Sequence, residues 1–393
     1  MSDGGSGDLD VLPQPPHGLV PLAAGSARLV TDADEETFLL YTLSPPPQDQ
    51  RGLGYVNGTA DLLRISVPLQ GDGSADVKVE ALAADEASDA LSKSTKQSGA
   101  AKRSAKTSKK SAPSAEDNNV VVEVRQDVTS LRSTTGDTGS VVWRSSLLLA
   151  SLILRRLSAP TLLPGTVSCD DDIGTLFEPE LLARARVLEL GAGTGVLPML
   201  LFAHPALRAP DATTTWLATD QEAMLGLLRR NVARQQSALG GESSAGGRLD
   251  ALPLDWNEAL EVQQSGSEAR QDRLRRAVFA SFEQRPSCAD ASADADEPAW
   301  PDLILASDCI YNPSLFPALL ATIDVLSAPQ RTLVLVICEL RSAESVREFL
   351  AQWLAHGVEE RSQPSRWCIC SIEQEVLGAR LAKGNAAWLA WKR

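Results

Sequence analysis

The side chains of this chain that could do chemistry are mostly acids, and the informative ones stand at the ends of apolar runs. Glu189-Leu190-Gly191-Ala192-Gly193-Thr194-Gly195 sets glycines at alternate positions directly after the run that ends at Leu190. Asp220 closes a second run, Asp255-Trp256 a third, and Ser307-Asp308 a fourth, with Tyr311 three residues further on. Glycines at such a corner permit a tight turn and let a ligand lie against bare backbone amides. The dinucleotide fingerprint G-x-G-x-x-G would need its third glycine where Val196 stands, and no Gly-Lys-Ser/Thr of a triphosphate loop follows. Glu189 suits an ammonium group far better than a diphosphate. The expected ligand is therefore a zwitterion, with Asp220 accepting ribose hydroxyls and Asp255-Trp256 offering a carboxylate and an aromatic face to an adenine. S-adenosylmethionine has those parts.

Other chemistries find little support. The three histidines, His17, His204 and His356, are isolated, so H-E-x-x-H zinc spacing is absent and a histidine triad is disfavoured. Among the six cysteines, Cys309, Cys338, Cys368 and Cys370 sit in apolar runs, where a thiol behaves as a small buried hydrophobe. No C-x-x-C pair occurs, so neither structural zinc nor a disulfide framework is expected, and no metal site is assigned.

These residues need strands to carry them and helices to separate the strands. The pattern predicts strands over 187–190, 213–219, 249–254, 302–307, 332–339, 366–373 and 386–392. Helices are predicted over 147–157, 196–203, 221–236, 314–326 and 343–356. Strands alternating with helices of this length imply a parallel sheet covered on both faces. In such a doubly wound sheet a ligand lies across the carboxyl ends of the strands, where the four acids fall. Segments near 237–248 and 263–299 break the rhythm and read as surface insertions. Ahead of this domain (141–393), residues 37–43, 61–67 and 120–128 are rich in Leu, Val, Ile and Thr and are predicted as strands of a small β-rich appendage. The appendage proper is expected over 1–70, with its third strand and the connection to the main domain over 120–140. The intervening 71–119 is predicted to be a disordered linker.

The formal net charge is −14, which argues against broad electrostatic capture of nucleic acid. The linker is a local exception, since Lys93, Lys96, Lys102, Arg103, Lys106, Lys109 and Lys110 run without an intervening acid and offer a weak contact for RNA. The N-terminus is acidic and Gly-rich, unlike a signal or transit peptide. The longest apolar run, 147–154, is far short of the roughly 20 residues of a membrane span. A soluble, cytoplasmic chain is expected, with access to the nucleus or nucleolus open.

The motifs Val142-Trp143-Arg144-Ser145-Ser146, Glu-Leu-Gly-Ala-Gly-Thr-Gly, Ala218-Thr219-Asp220, Asp255-Trp256 and Ser307-Asp308-Cys309-Ile310-Tyr311 together resemble the seven-β-strand S-adenosylmethionine-dependent methyltransferases. Within them the chain resembles the lysine methyltransferase group often called family 16, over about 141–393. The resemblance implies a Rossmann-like seven-stranded sheet. It assigns Trp143, Gly191, Ala192, Gly193, Asp220, Trp256 and Ser307 to cofactor contact. Asp308 and Tyr311 fall on the family's Asp-x-x-Tyr, which faces the incoming lysine. The N-terminal strands and the insertions are most similar to the fungal ribosomal lysine methyltransferase subgroup, which implies action on a lysine of a large-subunit (60S) ribosomal protein; the chain itself is expected to be a monomer.

Methyl transfer from a sulfonium to an amine is an in-line displacement that needs positioning and a neutral amine, not a metal. Asp308 is expected to draw in the lysine cation, and Tyr311 to pack on its stem and present a hydroxyl. Base methylation would call for an Asn/Asp-Pro-Pro-Tyr/Phe loop, whose prolines are missing after Asp308. A small-molecule methyltransferase and a catalytically weak ribosome-assembly partner remain the alternative readings.

Overall fold

A computed structural model describes residues 12–43, 54–69, 76–83, 118–132, 138–159, 175–240, 246–283, 299–358 and 365–393. In chain order they form β1 (Ala27–Leu29), α1 (Ala33–Leu43), β2 (Leu62–Pro68), β3 (Lys78–Ala81), β4 (Asn119–Arg125), α2 (Arg144–Ser158) and β5 (Arg186–Leu190). There follow α3 (Val196–Ala203), β6 (Thr215–Asp220), α4 (Glu222–Ala238), β7 (Arg248–Pro253), α5 (Trp256–Gln264), α6 (Glu268–Phe279) and β8 (Leu303–Ser307). The chain ends with α7 (Phe316–Leu326), β9 (Leu333–Glu339), α8 (Ala343–Ala355), β10 (Trp367–Ile372), α9 (Gln374–Ala382) and β11 (Asn385–Lys392).

The main sheet has the order β1-β10-β11-β9-β8-β5-β6-β7. Strands β7, β6, β5, β8 and β9 are parallel, and β11, β10 and β1 add antiparallel at the far side. Every residue of β5, β8, β9, β10 and β11 is buried, as a sheet covered on both faces requires. Alternate residues of one strand feed opposite layers. Val187 packs among α2, α3, α4 and α9, whereas Leu188 and Leu190 join α5, α6, α7 and α8. The doubly wound Rossmann-like sheet is the expected one, with β1 as an additional eighth strand.

The N-terminal part departs from expectation in instructive ways. Residues 37–43 are not a strand but the body of helix α1. Their Thr, Phe, Leu and Tyr content favours strands, yet Asp32 accepts from the Glu35 amide at 2.8 Å and starts a helix with Asp34, Glu35 and Glu36 in its first turn. Tertiary partners then hold it: the fully buried Glu36 accepts from Arg28 and from the Trp388 indole N–H.

Strands β2 and β4 occur where expected, although β4 ends at Arg125 and a short helical turn, Val128–Leu131, follows. With β3 they make a second sheet, ordered β3-β2-β4. Val120, Val122 and Val124 alternate inward and pack, with Leu63, Ile65 and Val67, into the same core as α2, α3 and α4. Apolar packing makes this small sheet an outer layer on the helices rather than a separate body. Part of the predicted linker is ordered too, since β3 lies within 71–119 and pairs with β2 from Leu63 to Ser66. The basic stretch 93–110 lies outside the described residues. In the predicted insertion 263–299, α6 buries Leu274, Val278 and Phe279, and Phe279 packs on Phe282 and Trp300. An apolar stripe made that segment a packed helix instead of a loop; 284–298 lies outside the described residues. The other predicted insertion begins with the last turn of α4. No helix among the described residues is long and apolar enough to cross a membrane.

Candidate active site

The site forms where β5, β6, β7 and β8 end. After Leu190 the chain turns through Gly191, Gly193 and Gly195, all at positive φ (+66°, +56° and +75°), before α3 begins. The turn is pinned to its neighbours: the Ala192 amide donates to Thr219 O at 2.9 Å, and the Gly193 amide donates to Asp220 Oδ2 at 2.8 Å. A Cβ at Gly191 would stand 2.9 Å from Cys309 Sγ and 3.4 Å from Trp256 Cζ2. At Gly193 it would stand 2.8 Å from the Gly139 carbonyl oxygen. Only bare backbone leaves this cradle open.

A cavity of about 390 Å³ runs from the cradle along the strand ends. At one end it meets Gly191, Ala192, Gly193, Asp220, Asp255 and Trp256. Asp255 caps α5, its Oδ1 accepting from the Asn257 amide at 2.9 Å, which sets the half-buried Trp256 in the first turn beside the glycines. At the other end it meets Trp143, Ser307, Asp308, Tyr311, Glu339 and Arg341. Ser307 and Ser146 are in hydrogen-bond contact through their hydroxyls (3.2 Å), and the Trp143 indole N–H donates to Thr138 O at 2.7 Å. Tyr311 is exposed, and its hydroxyl oxygen accepts from Thr138 Oγ1 at 3.0 Å. Partial burial, ahead of the charges nearby, holds its phenol above the ordinary range, so it stays protonated.

The structure thus brings Trp143, Gly191, Ala192, Gly193, Asp220, Asp255, Trp256, Ser307, Asp308 and Tyr311 to one cavity. Glu189 is not among its lining residues. Its Oε2 accepts from the Trp216 indole N–H at 2.8 Å within the sheet, and burial pushes its carboxyl up to about 8. Asp308 also differs from expectation. It stands at positive φ (+62°) with a buried side chain, and both of its oxygens take the guanidinium of Arg341, at 2.8 Å and 2.5 Å. It offers the cavity a neutralised carboxylate rather than a free one.

Arg341 is the residue that the sequence pattern missed. It also reaches Glu339 Oε2 at 3.2 Å and lies 5.2 Å above the Trp143 ring centroid. Glu339 Oε1 in turn approaches Arg144 at 3.4 Å. Burial works against the Arg341 charge, but hydrogen bonds and the charge of Asp308, then of Glu339, hold it above its ordinary range. Its only signal in the sequence is the acid-x-basic spacing of Glu339-Leu340-Arg341 at the end of β9. The N-terminal segment closes over this cluster: the Arg144 amide donates to Gly54 O, the Val56 amide to Val142 O, and Tyr55 meets Trp143 edge-on at 6.4 Å.

The residues fit the group that the fold implies. A bare-backbone cradle, carboxylates at the ends of β6 and β7, and an indole beside them match the amino-acid, ribose and adenine parts of S-adenosylmethionine. Fold and site are those of an S-adenosylmethionine-dependent methyltransferase. The sequence profile described as lysine methyltransferase matches residues 124–269 and 290–355, more than half of the chain. The chain belongs to this lysine methyltransferase family. No curated protein matches it. Solved structures similar to it include one described as a candidate O-methyltransferase from Nostoc punctiforme PCC 73102, at 12% identity and a TM-score of 0.27, covering 63% of this chain and 70% of that one. Another is the methyltransferase (CMeT) domain of the citrinin polyketide synthase, at 14% identity and a TM-score of 0.29, covering 63% and 65%.

Proposed function

We propose that this enzyme methylates the side-chain amine of a lysine in a protein, and that the protein belongs to the large ribosomal subunit. The observation that carries the amine reading is that Trp143 and the exposed Tyr311 line the same cavity as the charge-balanced cluster of Asp308, Glu339 and Arg341. The ribosomal assignment rests on the likeness of the N-terminal strands and insertions to that subgroup.

When bound, S-adenosylmethionine supplies a methyl group on a sulfonium, a good leaving group. The chain's own work is then positioning. Asp220 would hold the ribose hydroxyls, the bare backbone of the glycine loop would seat the amino-acid end, and Trp256 would wall the adenine. Trp143 and Tyr311 grip the aliphatic stem of the lysine, and Tyr311 Oη accepts from one Nζ–H to aim the lone pair. A lysine must arrive neutral, which at pH 7.4 costs roughly 4 kcal/mol against a reference pKa near 10.4. An aromatic, partly desolvated opening lowers that cost.

The test is incubation of the enzyme with labelled S-adenosylmethionine and a cell extract, followed by fractionation and acid hydrolysis. The expected result is label on methyl-lysine in a protein that sediments with the large ribosomal subunit. Label on a lysine of another protein removes the ribosomal assignment alone. Label in RNA or small metabolites removes the lysine reading.

A further inference from the structure

We propose that Arg341 is a positioning residue that keeps the acceptor end of the cavity electrically neutral, so that the lysine amine is held there as the free base. This rests on the amine reading above and adds a residue and a reason to it.

The argument begins with what faces the opening. Asp308 follows β8, Glu339 ends β9, and Arg144 opens α2; Arg341 sits between the first two. Two carboxylates and two guanidinium groups sum to no net charge. The other titratable groups near them are neutral at working pH. Tyr41 of α1, whose burial pushes its phenol well up, senses Arg341; Cys338 and Cys309 are pushed up by burial, and Tyr311 likewise. The exception is Asp220, whose Oδ2 accepts from the Gly193 amide and whose charge Tyr311 and Cys309 also sense; that charge is the same in every variant below.

The geometry explains why an arginine serves here. Its planar fork takes both oxygens of Asp308 at once and leaves an edge for Glu339, while its face rests on Trp143. A buried carboxylate so engaged has the facing lobe of each oxygen taken and its charge matched before an ammonium arrives. Left free, Asp308 and Glu339 would bind lysine well as a cation, and would stabilise the protonated form that cannot react. Strong ground-state binding of that form lowers KM without helping the chemical step. The pair therefore trades affinity for the reactive protonation state. The N-terminal segment protects this arrangement, because Gly54 lies so close that any Cβ there would collide with Arg341 Nη2 and Glu339 Oε2.

The prediction has a sign that a structural role does not share. Removing the Arg341 charge leaves one uncompensated negative charge beside the opening, taken for the arithmetic as about 7 Å from a bound amine. At an effective dielectric of about 20 to 40 this raises the bound amine's pKa by about one to two units. Removing the Asp308 charge leaves one positive charge and lowers it by a similar amount. The experiment reads single-turnover methyl transfer against pH, at saturating cofactor and saturating acceptor, the acceptor being the protein labelled in the extract experiment. Arg341→Gln should move the acid limb up by one to two pH units, Asp308→Asn should move it down, and the double variant should bring it back near wild type. Arg341→Lys should leave the limb within about 0.3 unit, by conserving the charge. S-adenosylhomocysteine affinity, measured by calorimetry, should stay within about threefold in all four, as the cradle lies at the other end. Limbs that stay in place while rates fall overturn the proposal, as does a Lys variant that shifts as far as Gln. If Arg341→Gln fails to fold, the downward shift of Asp308→Asn and its reversal in the double variant still decide. Label appearing on no amine removes the functional reading and this inference together; label on lysine with unmoved limbs removes this inference alone.

Discussion

Gly193 and Gly195 share a backbone conformation but not a neighbourhood, so alanine at each separates the cofactor cradle from the core. Both stand at positive φ, and an L residue there costs about 1–2 kcal/mol. At Gly195 the added Cβ meets Leu228 Cδ1 at 2.6 Å, the end of a side chain buried between α3 and α4. Leu228 must repack, which adds about 1–3 kcal/mol to the stability loss and leaves the cavity wall in place. At Gly193 the Cβ meets backbone, the Gly139 carbonyl at 2.8 Å, and both residues line the cavity. Relief requires the helical turn that holds Gly139, or the Gly193 amide bonded to Asp220, to move. Gly195→Ala should therefore lose the more stability, about 2–5 kcal/mol, and Gly193→Ala the more affinity, at least tenfold or about 1.4 kcal/mol. Melting curves give the first quantity, at about 2–4 °C per kcal/mol for a domain of this size. Calorimetric titration with S-adenosylhomocysteine gives the second. If affinity simply tracks melting temperature across the two variants, or if Gly193→Ala binds like wild type, the cradle argument is wrong.

Asp220→Ala should weaken S-adenosylmethionine binding by roughly 2–4 kcal/mol through loss of charge-assisted hydrogen bonds, and unchanged calorimetric affinity in a folded variant would remove its assignment. Glu189 keeps its proton in the folded protein up to about pH 8, but releases it near 4.5 when unfolded. Folding therefore loses about 1.4 kcal/mol per pH unit across that window. Glu189→Gln keeps an acceptor for Trp216 and abolishes the slope, so its advantage in melting temperature should grow from pH 5 to pH 8; parallel curves would refute this. Asn231 is fully buried and joins Arg125 N and O of β4 to Thr194 O of the glycine loop, at 2.9, 2.8 and 2.9 Å. Asn231→Ala strands the buried Thr194 carbonyl and two partly buried backbone groups of Arg125, and should cost about 2–3 kcal/mol in chemical denaturation. Tyr311→Phe should keep the aromatic wall and lose the hydroxyl, with its Thr138 contact and its proposed bond to the lysine amine, slowing transfer with little change in cofactor affinity; an equal loss of both would put Tyr311 in the cofactor pocket.

The sequence by itself determined the strands that end in Leu190, Asp220, Pro253 and Ser307, and with them the cradle and the acids around it. Each is a local matter: an apolar run long enough for a buried strand, then a glycine or acid that stops it. Hence ten of the residues expected at the site do share one cavity. Local patterns could not reach the rest, for three physical reasons. Strand propensity misread 37–43, because an N-terminal cap and the partners Arg28 and Trp388, the latter 352 residues away, outweigh the preference of Thr, Phe and Tyr for strands. Strand β1 is three residues long and has no periodicity to read; only its register against Cys370, Ser371 and Ile372 makes it a strand. Burial, finally, decides what an acid does. Glu189 and Asp308 look alike as acids at strand ends. Yet one is sealed in the sheet against an indole and keeps its proton, and the other is locked to Arg341, 33 residues along the chain. Charge pairing depends on distance in space, and only the packing of β8 against β9 set that distance.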